Sequence, residues 1–322
     1  MNEEMRNNLL DAEVHGHFHT ILQSCQPLEA IRTAIVHPVK GNTLYAVMDA
    51  VKAGLIIPVL VGPMSKIKTA ASEEDIDLSG WEIIDIEHRD AAARCAVELA
   101  VAGKVDAIMK GALTSEKLLS AIVPASSGLR TKYRISHAYL MDVPAYHKPL
   151  IITDAAINIA PDASVKADIC QNAINLWRLL YGEDKKPKVA ILAATEFVNP
   201  KMQATIDAAT LCKMAERRQI TDAILDGPLA FDNAINKQAA QDKDILSPVA
   251  GDADILVAPE IESGNILAKQ LTFLGHADAA GIVLGARVPI ILVSRADSLR
   301  ARLVSCALAV KIVAARQSGK FK

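Results

Sequence analysis

The stretch TAIVHPVKGNTLYAVMDAVKAGLIIPVLVG, residues 33–62, decides the fold. Its two ends, TAIVH (33–37) and LIIPVLVG (55–62), are short apolar runs rich in β-branched residues. Between them, Asn42–Gly54 places Leu, Ala and Val at helical spacing and stops at a glycine. Two continuous apolar runs joined by a helix of about 10–15 residues form a βαβ unit, whose parallel strands are buried on both faces. The same alternation continues outward along the chain. Further strand-like runs are WEIIDI (81–86), VDAIMK (105–110), PLIITD (149–154), KVAILAA (188–194), TDAILDG (221–227), ADILVAPE (253–260) and VPIILVS (288–294). Helical stretches lie at Arg89–Gly103, Val165–Leu180, Lys201–Arg217, Asn265–Leu274 and Ser298–Ala315. The class is α/β, in three layers with mainly parallel sheets.

A chain of 322 residues, at roughly 150 residues per domain, suggests two domains. The loop Pro124–Tyr133 separates two blocks of βα units, and the proline-bearing segment Asp142–Pro149 is a crossing point. Half of the residues are hydrophobic (51%) and only 4% aromatic, so Ala, Val, Ile and Leu supply the apolar mass and a disordered chain is excluded. Against 37 acidic residues stand 35 Lys and Arg, a net charge of −2. No broad basic face is available, which argues against nucleic-acid or anionic-membrane partners. A local phosphate site needs only a few cations and stays open.

The five cysteines form no CxxC pair, so neither a zinc knuckle nor a disulfide scaffold is expected. The polar start MNEEMRNNLLDAEV lacks a signal-peptide core, and the apolar stretch Ile282–Val293 is interrupted by Gly285, Arg287 and Pro289. A cytoplasmic protein is expected. The alternation His15-x-His17-x-His19 would suit a metal only as an extended segment; it reads as solvated surface, and no metal is expected. His137, His147 and His276 are isolated and read as structural.

In open parallel sheets, ligands bind beyond the carboxyl ends of the strands. Here VDAIMK runs into Lys110 and Gly111, with Thr114 and Ser115 opening a helix. PLIITD ends in Asp154, and TDAILDG carries Asp226 at its expected end. ADILVAPEIESGN runs into a small-residue loop, Ser263-Gly264-Asn265, and VPIILVS into Ser294-Arg295-Ala296-Asp297-Ser298. Singly these are turn formers and helix caps. Together with Lys110, Arg295 and the basic run Arg130–Arg134, they suit a phosphate-bearing ligand. Neither GxGxxG after a strand nor GxxxxGK[ST] occurs, so dinucleotide and P-loop readings lose their support.

The ordered blocks KGALTS (110–115), ISHAYLMDVPAY (135–146), IITDAAINIAP (151–161), DGPLAFDNA (226–234), PEIESGNILAKQL (259–271) and LVSRADS (292–298) resemble the phosphate acetyltransferase/phosphate butyryltransferase family, from about Arg32 onward. The SRADS form of the last block is closer to the butyryl branch. The resemblance implies reversible acyl transfer from acyl-CoA to inorganic phosphate, giving an acyl phosphate and CoA, without cofactor or metal. It implies two α/β domains resembling isocitrate and isopropylmalate dehydrogenases. Residues 1–141 and 277–322 would form one, 142–276 the other, with the active site in the cleft between them, commonly in a homodimer. It assigns Ser294 to the developing oxyanion or thiol and Arg295 to phosphate. Arg130 or Arg134 would be a second phosphate or CoA contact, and Lys110, Gly111, Thr114, Asp154, Ser263, Gly264 and Asn265 would line the same pocket. The family's proposed aspartate base falls at Ala301, leaving Asp297, Asp226 or Asp154 to replace it. A non-catalytic acyl-CoA-binding module is the alternative, and a metal-dependent 2-hydroxy-acid dehydrogenase finds no ligand set.

Overall fold

A computed structural model describes residues 16–292 and 297–319. They divide into two compact units, residues 18–135 with 280–319, and residues 136–279 with 16–17; the sequence reading puts the junctions at 141/142 and 276/277. Local bonding explains the first boundary. Ser136 Oγ accepts from Asn172 Nδ2 at 2.8 Å, which ties the chain to the second unit from its first residue.

The first unit contains α1 (Gly16–Gln23), β1 (Ile31–Val36), α2 (Gly41–Lys52), β2 (Ile56–Gly62), α3 (Met64–Ser72), β3 (Glu82–Asp85), α4 (Arg89–Val101), β4 (Ala107–Lys110) and α5 (Ser115–Ile122). The second unit contains β5 (Ser136–Asp142), β6 (Leu150–Thr153), α6 (Ala163–Tyr181), β7 (Lys188–Leu192), α7 (Gln203–Glu216) and β8 (Ile224–Leu229). It continues with α8 (Phe231–Ile235), α9 (Lys237–Asp242), β9 (Ile255–Val257) and α10 (Ile261–Phe273). The chain returns to the first unit through β10 (Asp278–Leu284), β11 (Ile290–Ile291) and α11 (Leu299–Gln317).

In the first unit the strands lie in the order β3-β2-β1-β4-β11-β10. β1 pairs in parallel with β2 (Val36↔Val61) and with β4 (Val36↔Lys110). The chain therefore builds outward through β2 and β3, then returns to the other side of β1. That reversal is a topological switch point between β1 and β4, the place where open α/β sheets bind ligands. Apart from Arg32, every residue of β1 is buried, as a central parallel strand requires. α11 is buried on most sides, so its apolar residues run all round rather than along one stripe. Its Ser305 Oγ donates to Ala301 O at 2.9 Å and accepts from Gly281 N at 3.0 Å, anchoring helix to sheet.

In the second unit the order is β5-β6-β9-β7-β8, with β5 antiparallel to β6 and the other pairs parallel. At the amino ends of its strands, Asp252 and Asp254 meet Lys148 and Lys188, with Lys188 Nζ 2.5 Å from Asp252 and Lys148 Nζ 2.8 Å from Asp254. Between α6 and α7, Lys166 Nζ lies 2.6 Å from Asp207, both nearly fully buried, and Gln203 donates to the second carboxylate oxygen.

Three sequence expectations are corrected. β5 and β10, absent from the strand runs, pair antiparallel, β5 with β6 and β10 with β11. The Ser263–Asn265 segment is the first turn of α10, because the Glu260 carboxylate accepts from Glu262 N and Ser263 N and starts the helix earlier. Asp226 lies inside β8 rather than at its end: a one-residue bulge around Gly227-Pro228 lets the pairing continue to Leu229. His17 and His19, read as solvated surface, are exposed on α1.

Replacing Lys166 with Met leaves Asp207 a buried charge without its counter-ion. Lys166→Met is expected to lower stability by about 3–5 kcal/mol, and Lys166→Met with Asp207→Leu to recover most of the loss, both read from urea unfolding. A second expectation concerns pH. Partial burial opposes ionisation of Asp252, yet hydrogen bonds from Lys188, Lys148 and His147 hold its pKa well below the usual carboxylate range. Its contribution is present above the unfolded carboxylate pKa and is lost as pH falls toward the folded value. Asp252→Asn should make acid unfolding less steep while lowering stability at pH 7.

Candidate strand-end sites in each unit

In the first unit the carboxyl ends of β1, β4 and β11 lie side by side. Ile291 pairs with Met109 and Val36 with Lys110, so Lys110 and Leu292 leave adjacent strands at the switch point. Lys110 is buried, 7% exposed, a cation at the end where a ligand would enter. Gly111 follows it because nothing larger fits: a Cβ there would lie 2.3 Å from Val36 O and 3.0 Å from His37 O. Gly111 N donates to Val36 O and Ala112 N to His37 O, each at 3.0 Å. Thr114 caps α5, its Oγ1 accepting from Lys117 N at 3.4 Å.

Ser294 and Arg295 lie outside the described residues. Asp297 is half-buried directly ahead of Ser298, whose Oγ accepts from Ala301 N at 3.1 Å and starts α11. Ala301 is buried, 1% exposed, so the position that the resemblance assigns to a base is packed into the first turn of that helix. Arg302 Nη1 donates to Asn42 O at 3.3 Å, bringing the start of α11 to the start of α2. Arg130 is exposed; its Nε donates to Val123 O at 2.8 Å and its backbone bridges to Ala286. Arg134 is exposed on the same loop.

In the second unit, Asp154 and Ser263–Asn265 come together. Asp154 follows β6 and is buried, its carboxylate accepting from Ala156 N, Ile157 N, Asn158 N and Asn158 Nδ2 between 2.6 and 3.3 Å. Burial nevertheless raises its pKa, more than these donors lower it. Gly264 packs against the same turn, since a Cβ there would sit 2.5 Å from Asp154 O. Asn265 Nδ2 donates to Ala155 O at 3.0 Å, and Ser263 Oγ donates to Glu260 O. Asp226 faces elsewhere. It lies near Cys212, whose thiol is pushed up to about 12 by burial first and then by Asp226 and Glu216.

One residue escaped the sequence reading. His37 follows β1 at the switch point with φ 56°; the signal was a polar residue before proline after an apolar strand. His137, read as structural, is fully buried with neither ring nitrogen partnered, and burial takes its pKa down to about 3. Among the described residues, no three His, Cys, Asp or Glu side chains gather as metal ligands. Chemically, the first unit presents a buried cation beside the chain leading to Ser294 and Arg295, an arrangement suited to an anion.

A family model described as phosphate acetyl/butaryl transferase matches residues 88–310. A phosphate acetyltransferase of Rickettsia typhi is 54% identical, over 91% of this chain and 84% of that protein. One of Rhizobium meliloti is 53% identical over 89% of this chain and 90% of its own length. A phosphate butyryltransferase of Clostridium acetobutylicum is 36% identical over 92% of this chain and 97% of its own length. Over about nine-tenths of the chain the similarity thus favours these acetyltransferases, whereas the SRADS block alone points to the butyryl branch. Among solved structures, a branched-chain phosphotransacylase from Enterococcus faecalis V583 superposes with a TM-score of 0.75 at 31% identity, covering 88% of this chain and 99% of that one. A 4-hydroxythreonine-4-phosphate dehydrogenase from Klebsiella pneumoniae shares the fold alone, with a TM-score of 0.56 at 14% identity, over 88% and 100% of the two chains.

The packing around Gly264 yields a direct test. Gly264→Val drives a branched side chain into the backbone of Asp154 and Ala155, which no rotamer relieves. A loss of about 1–3 kcal/mol is expected, measured by thermal unfolding, with Gly264→Ala intermediate.

Proposed function

The chain belongs to the phosphate acetyl/butaryl transferase family, and on that premise we propose how its residues run the family's reaction and which acyl group it prefers. The protein is an acyltransferase that moves an acyl group reversibly between coenzyme A and inorganic phosphate. In the direction of acyl phosphate, a phosphate oxygen attacks the thioester carbonyl. The tetrahedral oxyanion then collapses, the C–S bond breaks, and the CoA thiolate leaves and takes up a proton. Fixed donors and cations aimed at the oxyanion and the phosphate supply most of the acceleration in such steps.

Ser294 donates to the oxyanion or the thiol, and Arg295 pairs with phosphate through its two parallel N–H groups. Lys110 adds a second positive charge, with Gly111 and Thr114 shaping the turn beside it. Arg130 or Arg134 takes a further phosphate or the CoA. Proton transfer at sulfur falls to Asp297: Ala301 has no ionisable group, and Asp226 sits within β8 beside Cys212. Asp154, Ser263, Gly264 and Asn265 shape the corresponding strand ends of the second unit. The observation that carries this assignment is the buried Lys110 at the β1/β4 switch point, next to the chain leaving β11 toward Ser294 and Arg295.

Acetyl is the preferred group, supported by 52–54% identity to the acetyltransferases of Rickettsia felis and Rickettsia typhi against 36% to the clostridial butyryltransferase. No cofactor takes part, CoA and phosphate being substrates. The enzyme works in the cytoplasm and as a homodimer, the dimer being supported by the exposed apolar residues Ile266, Phe273 and Leu274 at α10. Among the described residues no helix is long and apolar enough to cross a membrane.

The test is CoA release from acyl-CoAs of two to five carbons in the presence of phosphate. The acetyl substrate should turn over best, and Ser294→Ala and Arg295→Ala should each lower kcat by about 10²–10³-fold. Tight acetyl-CoA binding without turnover of any short acyl-CoA would identify a regulatory binding module instead.

A further inference from the structure

His37 adopts the left-handed backbone region, φ 56°, which is unfavourable for a residue bearing a Cβ. The other described non-glycine residues with positive φ, Asp75, Arg218, Asp222, Asp244 and His276, occupy turns after helices or ahead of β8. His37 instead follows directly on β1, the central strand of its unit. The conformation is used on both sides. His37 N donates to Val61 O at 2.7 Å, and His37 O accepts from Ala112 N at 3.0 Å. Two glycines admit it: a Cβ on Gly62 would lie 3.2 Å from His37 Cα, and one on Gly111 3.0 Å from His37 O.

The imidazole, by contrast, has little to do. Its Nδ1 is buried without a hydrogen-bond partner. Burial, then Lys66 and Arg89, lower its pKa from the ordinary histidine value, Glu87 opposing them, which disfavours a charged ring. A strained residue persists only where its surroundings over-determine it, and such residues cluster at functional sites.

We propose that His37 is a positioning residue for phosphate: its left-handed backbone, not its ring, turns its carbonyl onto Ala112 and so holds the Lys110–Gly111–Ala112 turn at the mouth of the switch point. The proposal rests on the reading of Lys110 as a phosphate contact. A residue at this position must tolerate positive φ, which glycine and asparagine do and a β-branched residue does not.

The experiment compares His37→Gly, His37→Asn and His37→Val in the full-length enzyme. The Gly and Asn variants should keep both KM values within about twofold of the natural protein. The Val variant should raise KM for phosphate about tenfold while KM for acetyl-CoA stays within about twofold. Hydrogen exchange gives a readout independent of turnover: the peptide covering Gly111 and Ala112 should stay protected in the Gly and Asn variants and exchange faster in the Val variant. If His37→Gly and His37→Asn lose as much phosphate affinity as His37→Val, the ring is the working part and the proposal fails. It fails equally if His37→Val leaves KM and exchange unchanged. If the natural protein turns over no acyl-CoA, the acyltransfer reading fails, and the exchange pattern still decides whether the His37 backbone holds the turn.

Discussion

The pairing of β1 with β2 on one side and β4 on the other governs the first unit. A buried parallel strand must satisfy its backbone N–H and C=O groups through both neighbours. Once β2 occupies one edge, the returning chain pairs along the other. The reversal this creates leaves Val36, His37, Lys110 and Gly111 at one spot. The spacing there is so tight that the link after β4 has no room for a side chain at Gly111. The burial of Lys110, the start of α5 at Thr114 and the left-handed turn at His37 all follow from two strand ends leaving a sheet about one strand spacing apart.

The second unit solves a different problem, the disposal of buried charge. Lys166 and Asp207 are removed from water between two helices and are tolerable because each is the other's counter-ion, with Gln203 satisfying the remaining oxygen. Among the described residues no cation pairs with the buried Asp154; four N–H bonds stand in for water around it. At the amino ends of the strands, Asp252 and Asp254 are instead held by two lysines in a partly solvated network. Buried side chains carry the packing, and these charges fix which helix turn meets which strand end.

Much of this was legible along the chain. Continuous apolar runs such as TAIVH and LIIPVLVG marked the parallel strands because burial on both faces leaves no polar alternation. The ordered blocks from KGALTS to LVSRADS marked the family. Less legible were β5 and β10, both in antiparallel pairings. Both are almost wholly buried, yet they sit among motif residues and glycines rather than between helices, so no alternating strand–helix rhythm announced them. Asp226 was misplaced because a bulge carries the strand past Gly227-Pro228, where the dipeptide reads as a stop. Ser263–Asn265 read as a loop because Glu260, a residue less common as a cap than Ser or Asp, starts the helix ahead of it. For His37 the sequence offered only a histidine before a proline.

The sequence by itself determined the α/β class and the parallel runs, since these depend on local periodicity, and its ordered blocks carried the resemblance that implies the family and its reaction. Only the tertiary structure decided what each polar residue near a strand end does. Asp154 spends its carboxylate on the backbone of its own turn, Asn265 holds that turn from α10, and Asp226 lies within an edge strand. Lys110 remains beside the switch point, and His37 bends to hold the turn that follows it. The physical reason is that hydrogen-bond satisfaction and close approach at a strand end depend on atoms from segments far apart in the chain, which a linear pattern does not bring together.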